Sequence, residues 1–110
     1  GEQIVVASGS FAPGLLAGSG LRLPIQPMKG YSITFQAEEC APCTSLSDVS
    51  RRLVHTRIGQ RVRVAGFAEF AGPDSHVRPE PIAQLRRSAL QLVPNYRFEQ
   101  QSEWACLRAA

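Results

Sequence analysis

The clearest pattern in the chain is a two-residue alternation that begins after Pro27. Lys29, Tyr31, Ile33 and Phe35 fall on one side and Met28, Gly30, Ser32 and Thr34 on the other, and the β-branched and aromatic content suits a pleated strand. Pro24 and Pro27 fix an extended approach to it. Upstream, Ile4-Val5-Val6-Ala7 is a continuous apolar run that predicts a strand buried on both faces. A turn at Gly9 and a short helix over Phe11 to Ala17 follow, and Gly18-Ser19-Gly20 ends that helix through positive-φ chemistry. Residues 36–50 are polar and read as a loop with room for one short strand. Leu53 to Ile58 and Arg61 to Gly66 predict a hairpin around Gly59-Gln60. A three-residue loop would set Val54, Thr56 and Ile58 beside Val62 and Val64, whereas a two-residue loop would set His55 and Arg57 there. The second strand continues toward Phe70 and is closed by Gly72-Pro73-Asp74. Pro79-Glu80-Pro81 opens the clearest helix, with an acid near its positive end and an apolar stripe of Ile82, Leu85, Ala89 and Leu92. Pro94-Asn95 stops it. Phe98 to Arg108 alternates again and predicts a long strand with Trp104, Cys106 and Arg108 on one face. The sum is an α+β fold: a mainly antiparallel sheet covered by one main helix, with a short strand-helix piece at the N-terminus.

Composition narrows what such a fold can do. At 110 residues, 44% hydrophobic and 19% charged, the chain has material for one modest core. The net charge of +3 comes from twelve basic residues scattered along the chain. Without a basic and aromatic stripe they predict no nucleic-acid partner. No run of roughly 18 apolar residues is present, and the first residues lack the plan of a signal peptide. Three cysteines cannot make a disulfide framework and point to a reducing compartment. Cys40 and Cys43 have C-x-x-C spacing, but Thr44-Ser45-Leu46-Ser47 is not the helix a redox pair needs. A zinc site needs two ligands besides these cysteines, and of the available Cys106, His55 and His76 none is spaced as a second knuckle. Both cysteines therefore read as loop thiols, and no metal site is expected. Gly9 to Gly14 has phosphate-loop spacing, yet Leu15-Leu16 stands where Lys-Ser/Thr would reach the phosphates, and G-x-G-x-x-G is absent. His55 has no carboxylate or serine placed to form a relay, so no catalytic residue is assigned.

The segment Pro24-Ile25-Gln26-Pro27-Met28-Lys29-Gly30-Tyr31-Ser32 resembles the Pro-x-Lys/Arg-Gly segment of FAD-dependent amine and amino acid oxidoreductases of the D-amino acid oxidase superfamily. Its Lys-Gly-Tyr-Ser form is most similar to the D-amino acid dehydrogenase branch. Ile4 to Ser10, Thr56-Arg57, Arg61 to Glu69 and Trp104 to Arg108 follow the same family in the same order. The resemblance implies that residues 1–22 are the last strand-helix piece of a FAD-binding domain and residues 23–110 a substrate-binding domain. It implies an internal segment of a longer flavoprotein, with FAD held by the parent and not retained by this piece. The expected partners are a small amino acid, the rest of the flavoprotein chain and, through an exposed former interface, other copies of itself. The expected location is cytoplasmic, with the parent peripheral at the inner membrane.

The resemblance also implies roles for particular residues. Cys106-Leu107-Arg108-Ala109 matches the family's Gly-Leu-Arg-Pro block, with cysteine for glycine and alanine for proline, so Arg108 is the expected holder of the substrate carboxylate. A guanidinium suits that task because it forms two parallel charge-assisted hydrogen bonds. Tyr31 is the second expected substrate contact; because it shares a face with Ile33 and Phe35, a core tyrosine with its hydroxyl at the rim is the alternative. Gly30, where a backbone or flat ligand can approach or a bulge can form, and Lys29 are the expected cofactor-side residues, although Lys29 and Arg57 also read as solvated. The implied reaction is hydride transfer from the substrate Cα to the flavin N5, then hydrolysis of the imino acid to a 2-oxo acid and ammonia, which needs little acid-base machinery. Two alternatives stand beside it: a glycine or sarcosine type amine oxidase of the same superfamily, and a stand-alone binding domain without catalysis.

Overall fold

The computed structural model describes residues 1–36 and 41–110. Five strands form one antiparallel sheet among them: β1 (Pro27–Gln36), β2 (Leu46–Asp48), β3 (Leu53–Ile58), β4 (Arg61–Glu69) and β5 (Ser102–Ala109), in the order β2-β3-β4-β1-β5. Helix α1 (Ala12–Leu16) lies between two 3₁₀ turns, and α2 (Pro79–Leu92) crosses one face of the sheet. The α+β expectation is met. Cys40, and with it the C-x-x-C pair, lies outside the described residues.

The alternation of β1 governs the layering. Tyr31, Ile33 and Phe35 are buried against Ile82, Leu85 and Ala89 of α2 together with Val62 and Val64 of β4. Burial at this face removes large apolar side chains from water, about 1.5–3 kcal/mol for each. The helix stripe differs from expectation at its end. Leu92 is exposed, and Leu90 and Val93 pack against the core instead, because the helix stops at Leu92 and the chain turns away.

The hairpin takes the two-residue loop. Arg57 pairs with Val62 and His55 with Val64, and Gly59 supplies the positive φ of 60° that such a turn asks of its first residue. His55 is thereby carried into the core, where its Nδ1 lies 3.0 Å from the Tyr96 hydroxyl while Nε2 has no partner among the described residues. Tyr96 also stacks on the imidazole at a centroid distance of 5.8 Å, and Phe35 meets Tyr96 and Phe98 edge to face, each at 4.8 Å.

Two expected strands are corrected. Ile4 to Ala7 forms no strand: Ile4 is 88% and Val5 90% exposed, since no described strand is placed to pair with them. The radius of gyration of 17.4 Å, against about 13 Å for a compact chain of this length, reflects this outlying segment. The last strand starts at Ser102 rather than Phe98. Phe98 and Gln100 both have positive φ, 53° and 50°, which breaks the ladder there. The side of β5 that carries Trp104, Cys106 and Arg108 is as expected. Its far end is locked to the approach to β1, where Gln26 and Ala110 exchange both backbone hydrogen bonds at 2.9 and 3.0 Å.

Burial lowers the pKa of His55 from its ordinary value of 6.5, with Asp48 acting weakly in the opposite direction. Above pH 6.5 the imidazole is neutral in both folded and unfolded chains; below it the unfolded chain takes up a proton that the core resists, so stability is lost as pH falls. We expect the melting temperature to drop between about pH 7 and 5, and His55→Leu to flatten that slope. An equal slope in the variant would assign it elsewhere.

Candidate functional site

The candidate site lies on the face of the sheet away from α2. Short side chains of β1 floor it, and the register sets Trp104, Ser32, Ala65 and Val54 in one row across four strands. Above the floor opens a cleft of about 700 Å³. Its apolar wall is Trp104, which is 58% exposed, an arrangement of flat aromatic and small residues suited to a planar group.

Gly30 is the narrowest point of the floor. It pairs with Cys106 on β5, and on the other side Phe67 and Ala68 of β4 stand opposite it in a bulge between Lys29–Glu69 and Tyr31–Gly66. Phe67 holds a φ of 61° at that bulge, a conformation that costs energy for a residue with Cβ. The bulge reading of Gly30 holds, whereas the group that comes closest is a side chain rather than a backbone or a flat ligand. The approaching group is Arg108: its Nη2 lies 3.1 Å and its Cζ 3.6 Å from where a Cβ of Gly30 would stand. The guanidinium occupies the space that the missing side chain leaves.

Arg51, Arg52 and Arg63 also line the cleft, and no Asp or Glu is among its lining residues. Arg51 is neutralised by Asp48 at 2.8 Å, which holds that carboxyl at about 2 through hydrogen bonds from Ser50 and Arg51. Arg63 donates from Nε to Thr34 Oγ1 at 3.2 Å. Ser32 is only 4% exposed and its hydroxyl has no partner among the described residues.

Of the four residues expected at the site, the structure brings Arg108 and Gly30 together and sets Lys29 and Tyr31 on the opposite face of β1. Lys29 is neither solvated nor turned toward the cleft: it is fully buried, with Nζ 2.9 Å from the His76 carbonyl, 3.3 Å from Asp74 and 3.6 Å from Glu69. Burial works against its charge, yet Tyr31 and Asp74 outweigh it and leave the pKa above the ordinary lysine value. The Tyr31 hydroxyl donates to Glu69 at 2.7 Å, and burial pushes its pKa up, helped by Glu69. Arg78 reaches the other Glu69 oxygen at 3.3 Å. This cluster ties residues 70–78 to the sheet. The sequence signal for it was the shared parity of Lys29 with Tyr31, Ile33 and Phe35, a face with no exposed member.

The family profile described as "FAD dependent oxidoreductase" matches residues 1–110. The chain belongs to that family. D-amino acid dehydrogenase 2 of Pseudomonas aeruginosa PAO1 is 38% identical across 99% of this chain, and the D-amino acid dehydrogenase of Dechloromonas aromatica is 41% identical across 99%. The chain spans 27% of the length of each. The crystal structure of glycine oxidase from Bacillus cereus ATCC 14579 superposes on 98% of the chain with a TM-score of 0.77 at 23% identity, matching 30% of its own length, which shows a shared fold. Among the described residues no group of His, Cys, Asp and Glu is placed to hold a metal, and no helix is long and apolar enough to cross a membrane. The family implies FAD, and the exposed Trp104 with the small side chains of Ser32 and Ala65 would suit one side of a planar group, while the space over Gly30 is taken by Arg108.

Lys29→Ala removes the ammonium that gathers Asp74, Glu69 and the His76 carbonyl. We expect amide hydrogens of residues 70–78 to exchange faster in the variant while those of β3 change little. Unchanged exchange at 70–78 would mean that other contacts hold the segment.

Proposed function

We propose that this chain forms the substrate-facing wall of a flavoenzyme that oxidises D-amino acids to 2-oxo acids and ammonia. Residues 23–110 are assigned to its substrate-binding domain and residues 1–22 to the edge of its FAD-binding domain. The observation that carries the reading is the Arg108 guanidinium, which rests over Gly30 on the open face and has no carboxylate partner among the described residues. Similarity to D-amino acid dehydrogenases across nearly the whole chain supports the choice of substrate class.

Arg108 grips the α-carboxylate through two parallel hydrogen bonds, which sets the direction of the Cα–H bond. Gly30 lets the guanidinium lie flat, so the substrate stays close to the floor. Ser32, Ala65 and Trp104 beneath and beside it displace water from the reacting carbon. Bound FAD supplies the hydride acceptor. The imine that the substrate becomes takes up one water and releases ammonia, a step that requires no side chain of this wall. Exposed Ile4, Val5, Phe11 and Leu15 form an apolar surface that the remainder of the flavoprotein covers in this reading.

The test is steady-state kinetics of the intact flavoprotein on a D-amino acid panel with an artificial electron acceptor. Losing two charge-assisted hydrogen bonds predicts that Arg108→Ala raises KM by about 100-fold or more. The bound-flavin spectrum should be unchanged and Arg108→Lys should recover part of the loss. An unaltered KM would remove Arg108 from the site, and a panel without turnover would overturn the substrate class.

A further inference from the structure

The cleft holds more positive charge than one carboxylate uses. Arg52, Arg63 and Arg108 meet no carboxylate among the described residues, and none lines the cleft. Arg63 is also oriented: its Nε is bound to Thr34 Oγ1 at 3.2 Å, so the two terminal nitrogens keep their hydrogens for another acceptor. A fixed fork of this kind is what bidentate recognition of a carboxylate requires.

Register gives the spacing between the two cations. Arg108 lies over Gly30 and Arg63 is tied to Thr34, four residues apart on β1, or about 13 Å at the rise of a strand. With about 4 Å between each guanidinium and its carboxylate, about 5 Å remain between two acid groups, the separation across an extended glutamate. Ser32 sits midway on the same face. Its hydroxyl is buried without a partner among the described residues, which leaves a donor and an acceptor for water or a polar ligand to satisfy.

We propose that the cleft has a second anion subsite, built from Arg63 with the Ser32 hydroxyl beneath, which takes the side-chain carboxylate of a dicarboxylic D-amino acid of glutamate length while Arg108 holds the α-carboxylate. The assignment rests on the substrate-wall reading and names the substrate class within it. Trp104 flanks the methylene chain between the two acids, and Arg52 adds positive potential at the mouth. A neutral side chain of the same length forgoes the fork at Arg63.

Two measurements on the FAD-loaded enzyme test this. Calorimetry compares glutarate with pentanoate, which share a carbon count and differ in one acid group. Kinetics compares D-glutamate with D-glutamine. The wild type should favour glutarate and D-glutamate, and Arg63→Gln should shrink both preferences by about 10-fold to 100-fold, with Arg63→Lys between. Arg63 is exposed, so unchanged circular dichroism is expected and confirms that the variant is folded. Equal binding of the two acids by the wild type, or preferences untouched in Arg63→Gln, would overturn the subsite. So would a loss of bound FAD in that variant with both preferences intact, which would give Arg63 to the cofactor. Glutarate selectivity that depends on Arg63, without turnover of any D-amino acid, would uphold the subsite and sink the substrate-wall reading instead.

Discussion

The strand Pro27–Gln36 has to serve two surfaces that want opposite things, and the rest of the molecule follows from how it does so. It is hydrogen-bonded on both edges, to β4 and to β5, so its side chains have only the two faces of the sheet to occupy. One face takes Lys29, Tyr31, Ile33 and Phe35 into the interior; the other presents glycine and small polar residues. Bulk on the first anchors α2, and its absence on the second makes a cleft. A shift of register by one residue would exchange the two and leave neither a core nor a cleft.

The buried lysine shows how the polar part of that bargain is settled. An ammonium without solvent is tolerated only where acceptors surround it, and here Asp74 and the His76 carbonyl come from the segment that leads into α2, with Glu69 at the end of β4 beside them. Lys29 thus fastens the helical layer to the strand from below, one residue away from the glycine that opens the cleft above. Charge holds the back of the sheet together, while on the front arginines are left unneutralised. That asymmetry is a property of the whole sheet.

Much of this was legible in the residues. Alternation in β1, the stripe of α2 and the face of β5 are periodic signals, and periodicity survives tertiary packing because it is what packing uses. That Arg108 and Gly30 share one face comes from the pairing of β5 with β1, which parity within either strand does not supply. Less was legible where a single residue decides. Nothing local says that Phe98 and Gln100 adopt left-handed backbone or that Phe67 does so at a bulge. Ile4 to Ala7 has strand composition, but a strand needs a neighbour, and composition does not supply one. Lys29 was misjudged because lysine is read as a surface residue by type, although its parity placed it among buried neighbours. Distances across strands, such as the reach of Arg108 over Gly30, depend on register and are invisible to any reading along the chain.

The reciprocal bonds between Gln26 and Ala110 fasten one corner of the sheet. Arg108 lies two residues from that corner, whereas Thr34 and Arg63 lie at the far end of β1. The distal end is fastened as well: the Gln36 N–H donates to the Glu99 carbonyl at 2.9 Å, and Arg61 donates to the Gln100 carbonyl at 2.8 Å. With both ends of β1 pinned, the interval between Arg108 and Arg63 is dictated by the ladder itself, and the cleft works as a ruler rather than a jaw.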